Sequence, residues 1–103
     1  MSYASIEDRR ITALSRTIRV AAQLEAKGVK LKVIGSLAKG GFDHHSDVDL
    51  LVMECPRELK YAIEAGVEDI LLDIPFDVVY FDEIPSHRIA RFLEGAVDAG
   101  DLR

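Results

Sequence analysis

Four residues within Leu31–Val52, LKVIGSLAKGGFDHHSDVDLLV, are of types that handle phosphate and metal: Gly35, Ser36, Asp47 and Asp49. Asp47 and Asp49 are two apart at the start of the apolar run Val48–Met53. Alternate residues of a strand share a face, so the two carboxylates stand side by side, roughly 6–7 Å apart along the strand. Aspartate is disfavoured in strands, and two like charges on one face repel each other unless a cation lies between them. Their oxygens are hard donors of the kind Mg²⁺ takes, usually one or two carboxylates together with substrate phosphates. Ten residues separate Ser36 from Asp47. Gly35 lacks a Cβ and lets a ligand approach the backbone. Ser36 is placed to cap a short helix whose first N–H groups attract phosphate, and its hydroxyl can add a hydrogen bond. One half of the pattern therefore suits phosphate, and the other half the metal that neutralises it.

The elements that must position these residues follow from periodicity and punctuation. Ser5-Ile6-Glu7-Asp8 reads as a capping box, and Ile11, Leu14, Ile18, Ala21 and Ala22 recur at helical spacing, which predicts a helix over about 6–27 with Gly28 just beyond its end. Arg9, Arg10, Arg16 and Arg19 lie mostly off that stripe and read as a solvated face. The first strand is Leu31–Gly35, followed by a helical turn over Ser36–Lys39, a loop from Gly40 to Ser46, and a second strand over 48–53. Pro56 suits the first turn of a helix carrying Leu59, Ala62, Ile63 and Gly66. The period leaves open whether Ile70–Leu72 extends that helix or turns separately. Pro75 opens a third strand, Phe76–Phe81. Ser86 is placed to cap a last helix reaching about Glu94, with Ile89, Ala90 and Leu93 inward. This order implies α/β layering, with helices over a sheet of three or four strands, and the helix between the second and third strands allows those two to be parallel.

Gly35-Ser36, the spacing and Asp47-Val48-Asp49 between two apolar runs resemble the nucleotidyltransferase signature of the DNA polymerase β superfamily. The wider match, GSLAKG followed by SDVDLLV, resembles the minimal nucleotidyltransferases, many of which pair with HEPN proteins as antitoxins. These motifs cover about a fifth of the chain, and a weaker likeness runs from Ile74 to Val97. The resemblance implies a small mixed sheet covered by helices, the polymerase β-like fold, with its first strand pair antiparallel. It also implies a third carboxylate on the third strand, carried here to Asp77, with Asp73 and Asp82 as substitutes. Some relatives place it two residues on, where this chain has Val79. Lys39 matches a basic position of the family and is a further candidate phosphate contact. Position 37, often arginine in the family, is Leu37 here. The implied reaction is in-line transfer of a nucleoside monophosphate, AMP from ATP, with two Mg²⁺ ions on Asp47 and Asp49. Asp77 would join the catalytic ion and help to deprotonate the acceptor. The implied acceptor is a hydroxyl on a HEPN-type partner. The competing reading is a non-catalytic antitoxin that blocks its partner by occupancy, although occupancy needs none of these acids.

The composition agrees with a soluble, cytoplasmic protein of one domain, residues 1–103. Hydrophobic residues make up 49% and charged residues 30%, an ordinary globular balance. The net charge of −5 argues against a general nucleic-acid surface but not against a metal-bound nucleotide. Cys55 is the single cysteine and forms no internal disulfide, which fits a reducing compartment; it reads as a small apolar residue at a strand end. No apolar stretch approaches the ~20 residues of a membrane span, and no secretory leader is evident. His44 and His45 lack a further Cys or His at ligand spacing and read as solvated loop residues. Self-assembly into an oligomer is left open.

Overall fold

The computed structural model describes residues 3–102. Helix α1 (Ile6–Glu25) is followed by strand β1 (Lys30–Ile34), a one-turn helix α2 (Gly35–Lys39) and strand β2 (Val48–Glu54). Then come α3 (Ile63–Leu71), β3 (Phe76–Tyr80), α4 (Ile89–Leu93) and a two-residue strand β4 (Val97–Asp98). The four strands form one mixed sheet in the order β3-β2-β1-β4. β1 is antiparallel to β2 and to β4, and β2 is parallel to β3. The expected antiparallel first pair and the α3 crossover between parallel strands are both present.

The sheet has two unlike faces, because successive side chains alternate. Leu31 and Val33 of β1, Val48, Leu50 and Val52 of β2, and Tyr80 of β3 are buried in the main core with Val20 and Leu24 of α1 and Ile63, Val67 and Ile70 of α3. The alternate row holds Ile34 of β1, Asp49 and Leu51 of β2, and Asp77 and Val79 of β3. Leu51 is fully buried there, while Asp49 is half-buried and Asp77 exposed. The acids therefore stand on the face away from α1 and α3.

Helix α1 begins as its capping box requires, with Ser5 Oγ accepting from the Asp8 N–H at 3.0 Å. It ends two residues early, at Glu25, and Gly28 adopts φ +86° to let the Val29 N–H reach back to the Leu24 carbonyl at 3.0 Å. Its inward stripe is not the expected one. Arg9, Ala13, Thr17, Val20 and Leu24 are buried, whereas Ile11 and Ile18 are 53% and 43% exposed and Ala22 is exposed; Leu14 and Ala21 lie at the margin. The helix carries apolar residues around much of its circumference, so period alone identifies a helix without saying which side meets the sheet.

The arginines of α1 also depart from the solvated reading. The Arg9 guanidinium is buried over the Phe42 ring, 4.9 Å from its centroid, and Nη1 donates to the Asp43 and Ser46 carbonyls at 2.6 and 2.9 Å. Arg16 Nη1 pairs with Asp73 at 3.0 Å and donates to the Leu71 carbonyl at 3.1 Å. Arg10 pairs with Glu7 one turn back at 2.9 Å.

Three later expectations are corrected. Pro56 precedes only a single 3₁₀ turn, Arg57–Leu59; the α-helix begins at Ile63 and runs through Leu71, ending where Leu72 takes φ +57°. Ser86 makes no capping bond: residues Ser86–Arg88 form a 3₁₀ turn and α4 starts after it. Ile89 is half-buried, Ala90 exposed and Leu93 37% exposed, so the last helix adds nothing to the main core. Cys55 is a free thiol, half-buried against the core just beyond β2. Among the described residues no helix is long and apolar enough to cross a membrane.

Candidate active site

Sheet register brings the acids together. In the parallel β2–β3 pair, Asp49 lies opposite Asp77, and neighbouring strands are about 4.8 Å apart. Across β1, Asp49 is also opposite Ile34, the residue before Gly35. Asp47 precedes Val48 by one residue and reaches the same side as Asp49. Position 79 pairs with Leu51, two residues further from Gly35, so Asp77 is the residue at the level of Asp49. The substitutes are engaged elsewhere. Asp73 is held by Arg16 and accepts from the Tyr3 hydroxyl at 2.9 Å, while Asp82 accepts from Lys60 Nζ at 2.9 Å. Asp82 also lines a pocket of about 850 Å³, which opens between Val52–Cys55, Tyr61 and Tyr80 at the opposite end of the sheet from the acids.

The electrostatics agree with this placement. Burial, and then the charges of Asp77 and Asp47, push the Asp49 carboxyl above the usual carboxylate range. Asp49 thus feels the charge of both other acids. Among the described residues no three His, Cys, Asp or Glu side chains are already drawn close enough to cage an ion. Exposed Asp47 and Asp77 flank half-buried Asp49 in a looser cluster. The donor set is entirely carboxylate oxygen, which fits a hard divalent cation such as Mg²⁺.

Gly35 begins α2 at φ +74°, and a Cβ there would run into the Asp49 carboxylate, whose Cγ would be only 3.2 Å away. The turn and the central acid thus touch, and glycine is required both by its backbone angle and by the space. Gly35→Ala is expected to lower stability by about 2 kcal/mol or more, from left-handed strain and a displaced Asp49, and to weaken nucleotide binding. Gly40 has φ +94°, but a Cβ there would meet nothing within 4 Å. Gly40→Ala should therefore show the backbone term alone, about 1 kcal/mol, with binding retained. Thermal denaturation with calorimetric titration of the two variants separates these effects.

Ser36 does not cap α2 as anticipated. The N-cap position is Ile34, with no side-chain capping bond, and Ser36 Oγ makes no hydrogen bond among the described residues. Its hydroxyl is therefore not committed to the helix end. Leu37 is 3% exposed and packs into the main core, so its side chain supplies no polar group to the turn. Lys39 is exposed at the end of α2, with its stem against Gly95. In the loop that leads to Asp47, the Asp43 carboxylate accepts from the His45 N–H at 2.8 Å and the Ser46 hydroxyl at 3.1 Å, which holds Asp43 below the usual carboxylate range. The Arg9 guanidinium grips the same loop from the core side through the two carbonyls already described. His44 and His45 are exposed on it and join no three-ligand group among the described residues. Arg9 was the residue that periodicity missed, since nothing local marks an arginine as the latch of a loop more than thirty residues away.

Residues 14–98 match the family model described as the nucleotidyltransferase domain. The chain belongs to the nucleotidyltransferase domain family. A solved structure described provisionally as a minimal nucleotidyltransferase superposes with a TM-score of 0.67 at 23% identity, over 94% of this chain and 98% of that one. That likeness establishes the fold. No curated protein matches the chain significantly. The expectation of a small mixed sheet of the nucleotidyltransferase type is thus borne out, with nucleotidyl transfer as the reaction the family supports and a nucleoside triphosphate as its substrate.

Proposed function

We propose that this nucleotidyltransferase moves AMP from ATP to a hydroxyl on a protein partner, in a Mg²⁺-dependent reaction, and that the partner is a HEPN-type protein for which the chain is the antitoxin. The observation that carries the chemistry is the row Ile34, Asp49, Asp77 across three strands, with Gly35 against the Asp49 carboxylate. The protein partner and the antitoxin role rest on the resemblance of GSLAKG and SDVDLLV to the minimal members of the superfamily.

Asp47, Asp49 and Asp77 would hold Mg²⁺, which when bound neutralises the triphosphate and polarises the reacting phosphoryl group. The bare backbone at Gly35 lets the triphosphate lie directly beside these acids, and the uncommitted Ser36 hydroxyl donates to a phosphate oxygen. The acceptor hydroxyl attacks the α-phosphorus, the bond from that phosphorus to the bridging oxygen breaks, and pyrophosphate leaves. Asp77 is exposed where Asp49 is half-buried, and with the third-acid role that the resemblance gives it, its carboxylate takes the hydroxyl proton. Positioning and charge stabilisation account for most of the rate.

Mixing the chain with its partner, ATP and Mg²⁺ tests this reading. The partner should gain AMP and stay inactive after separation, with sub-stoichiometric chain sufficing because a catalyst turns over. Intact-mass spectrometry of the separated partner decides the matter. An unmodified partner, inhibited only at one-to-one amounts, would show a binding antitoxin and overturn the enzymatic reading.

A further inference from the structure

Beside the Gly35 turn lies a second feature, built by a part of the chain that the reaction scheme does not use. A pocket of about 330 Å³ opens between Gly35, Lys39, Arg88, Arg91, Phe92 and Glu94, and Ile34 also lines it. Ile34 is the cross-strand neighbour of Asp49, so the pocket adjoins the acids on the same face of the sheet. Three cations and a single carboxylate line it, in a chain whose net charge is −5. Among the described residues none of these three cations has an ion-pair partner, whereas the partly buried cations Arg16, Lys32 and Lys60 are all paired.

Packing holds two of the three in place. The Arg88 guanidinium lies over the Phe92 ring, 5.9 Å from its centroid. Lys39 Cε would be 3.0 Å from a Cβ at Gly95, which takes φ +74° in the turn after α4. The bare glycine lets the lysine stem lie against that turn, and Lys39 lines the pocket. Like charges gathered in this way repel one another until an anion joins them. Guanidinium groups suit phosphate because their N–H fork pairs with two oxygens at once.

We infer that Lys39, Arg88 and Arg91 seat the two outer phosphates of the nucleotide, the part that departs as pyrophosphate. The inference rests on the nucleotidyl-transfer reading of the adjoining acids. With the α-phosphate at those acids, the rest of the triphosphate runs past Gly35 into this pocket. The position that Leu37 leaves apolar inside α2 is thereby offset from outside it, by α4 and the 3₁₀ turn before it. Negative charge grows on the departing phosphates as the bond to the α-phosphorus breaks, and cations already in place there stabilise it.

The test is calorimetric titration of the intact chain with MgATP, AMP and inorganic pyrophosphate. Wild type is compared with Arg88→Gln/Arg91→Gln and with Arg88→Lys/Arg91→Lys. Both arginines are exposed, so folding should survive, as circular dichroism would verify. The glutamine pair should weaken MgATP and pyrophosphate binding on the order of tenfold or more and leave AMP within about twofold, with the lysine pair in between. A glutamine pair that binds MgATP and pyrophosphate like wild type overturns the seat and leaves the acid-site reading standing. Arginine-dependent binding of pyrophosphate without any binding of MgATP keeps the anion seat and overturns the transfer reading. Wild type that binds neither overturns both.

Discussion

Asp47→Asn combined with Asp49→Asn is expected to lower nucleotidyl transfer by at least about 10³-fold while the protein stays folded. The loss follows from the geometry: Asp49 sits between the Gly35 turn and Asp77, and Asp47 flanks it two residues away, so the pair of changes strips the centre of the site of charge. Stability should move the other way. The Asp49 carboxyl is held above the usual range by burial and by its two acidic neighbours. Its ionised form is therefore disfavoured in the folded state. That penalty is absent when the group is protonated in both states, grows as pH rises from the unfolded pKa to the folded one, and is present in full above the folded pKa. Removing it should raise stability, read as a higher Tm, since a domain of this size gains roughly 4–8 °C per kcal/mol. Adding Mg²⁺ should stabilise wild type and not the variant. A double variant that transfers AMP at the wild-type rate removes these acids from the mechanism. One that still gains stability from Mg²⁺ removes them from the metal site.

Arg9→Ala should cause the largest loss of stability, about 2–4 kcal/mol. The change deletes two charge-assisted bonds to carbonyls, a cation–π contact and the packing of a long stem. Against a typical domain stability of about 5–15 kcal/mol this is a large fraction. The bonds go to Asp43 and Ser46, and Ser46 directly precedes Asp47, so the same change frees the loop that carries the first acid. At a temperature where the variant remains folded, MgATP affinity should also fall. Arg9→Lys keeps a charge but loses the planar fork, and should recover only part of either quantity. Denaturant unfolding and titration on the same preparations check both. Unfolding that matches wild type would mean the latch contributes nothing; normal stability with weak binding would mean that it acts on the loop alone.

The candidate site was largely legible in the sequence because its pattern is written in short-range terms. Two aspartates two apart inside an apolar run can be placed on one face without knowing the fold, and Gly35 could be read as a close-approach point from its residue type alone. Asp77 announced itself as a charge within an apolar strand. The family resemblance chose it ahead of Asp73 and Asp82; only the tertiary structure shows the parallel register that sets Asp77 beside Asp49 and the cations that occupy the other two. The wrong stripe on α1 has a similar origin. Apolar residues on more than one side satisfy the helical period several ways, and only the sheet determines that Ala13, Thr17 and Val20 go inward while Ile11 and Ile18 stay out. β4 is two residues long, too short for any period to show, and exists because Lys32 and Val33 pair with it. Arg9 as a latch, and Arg88 and Arg91 beside Gly35, join residues some 35 to 55 positions apart. Contacts of that kind depend on how layers pack, and local propensity carries no information about them.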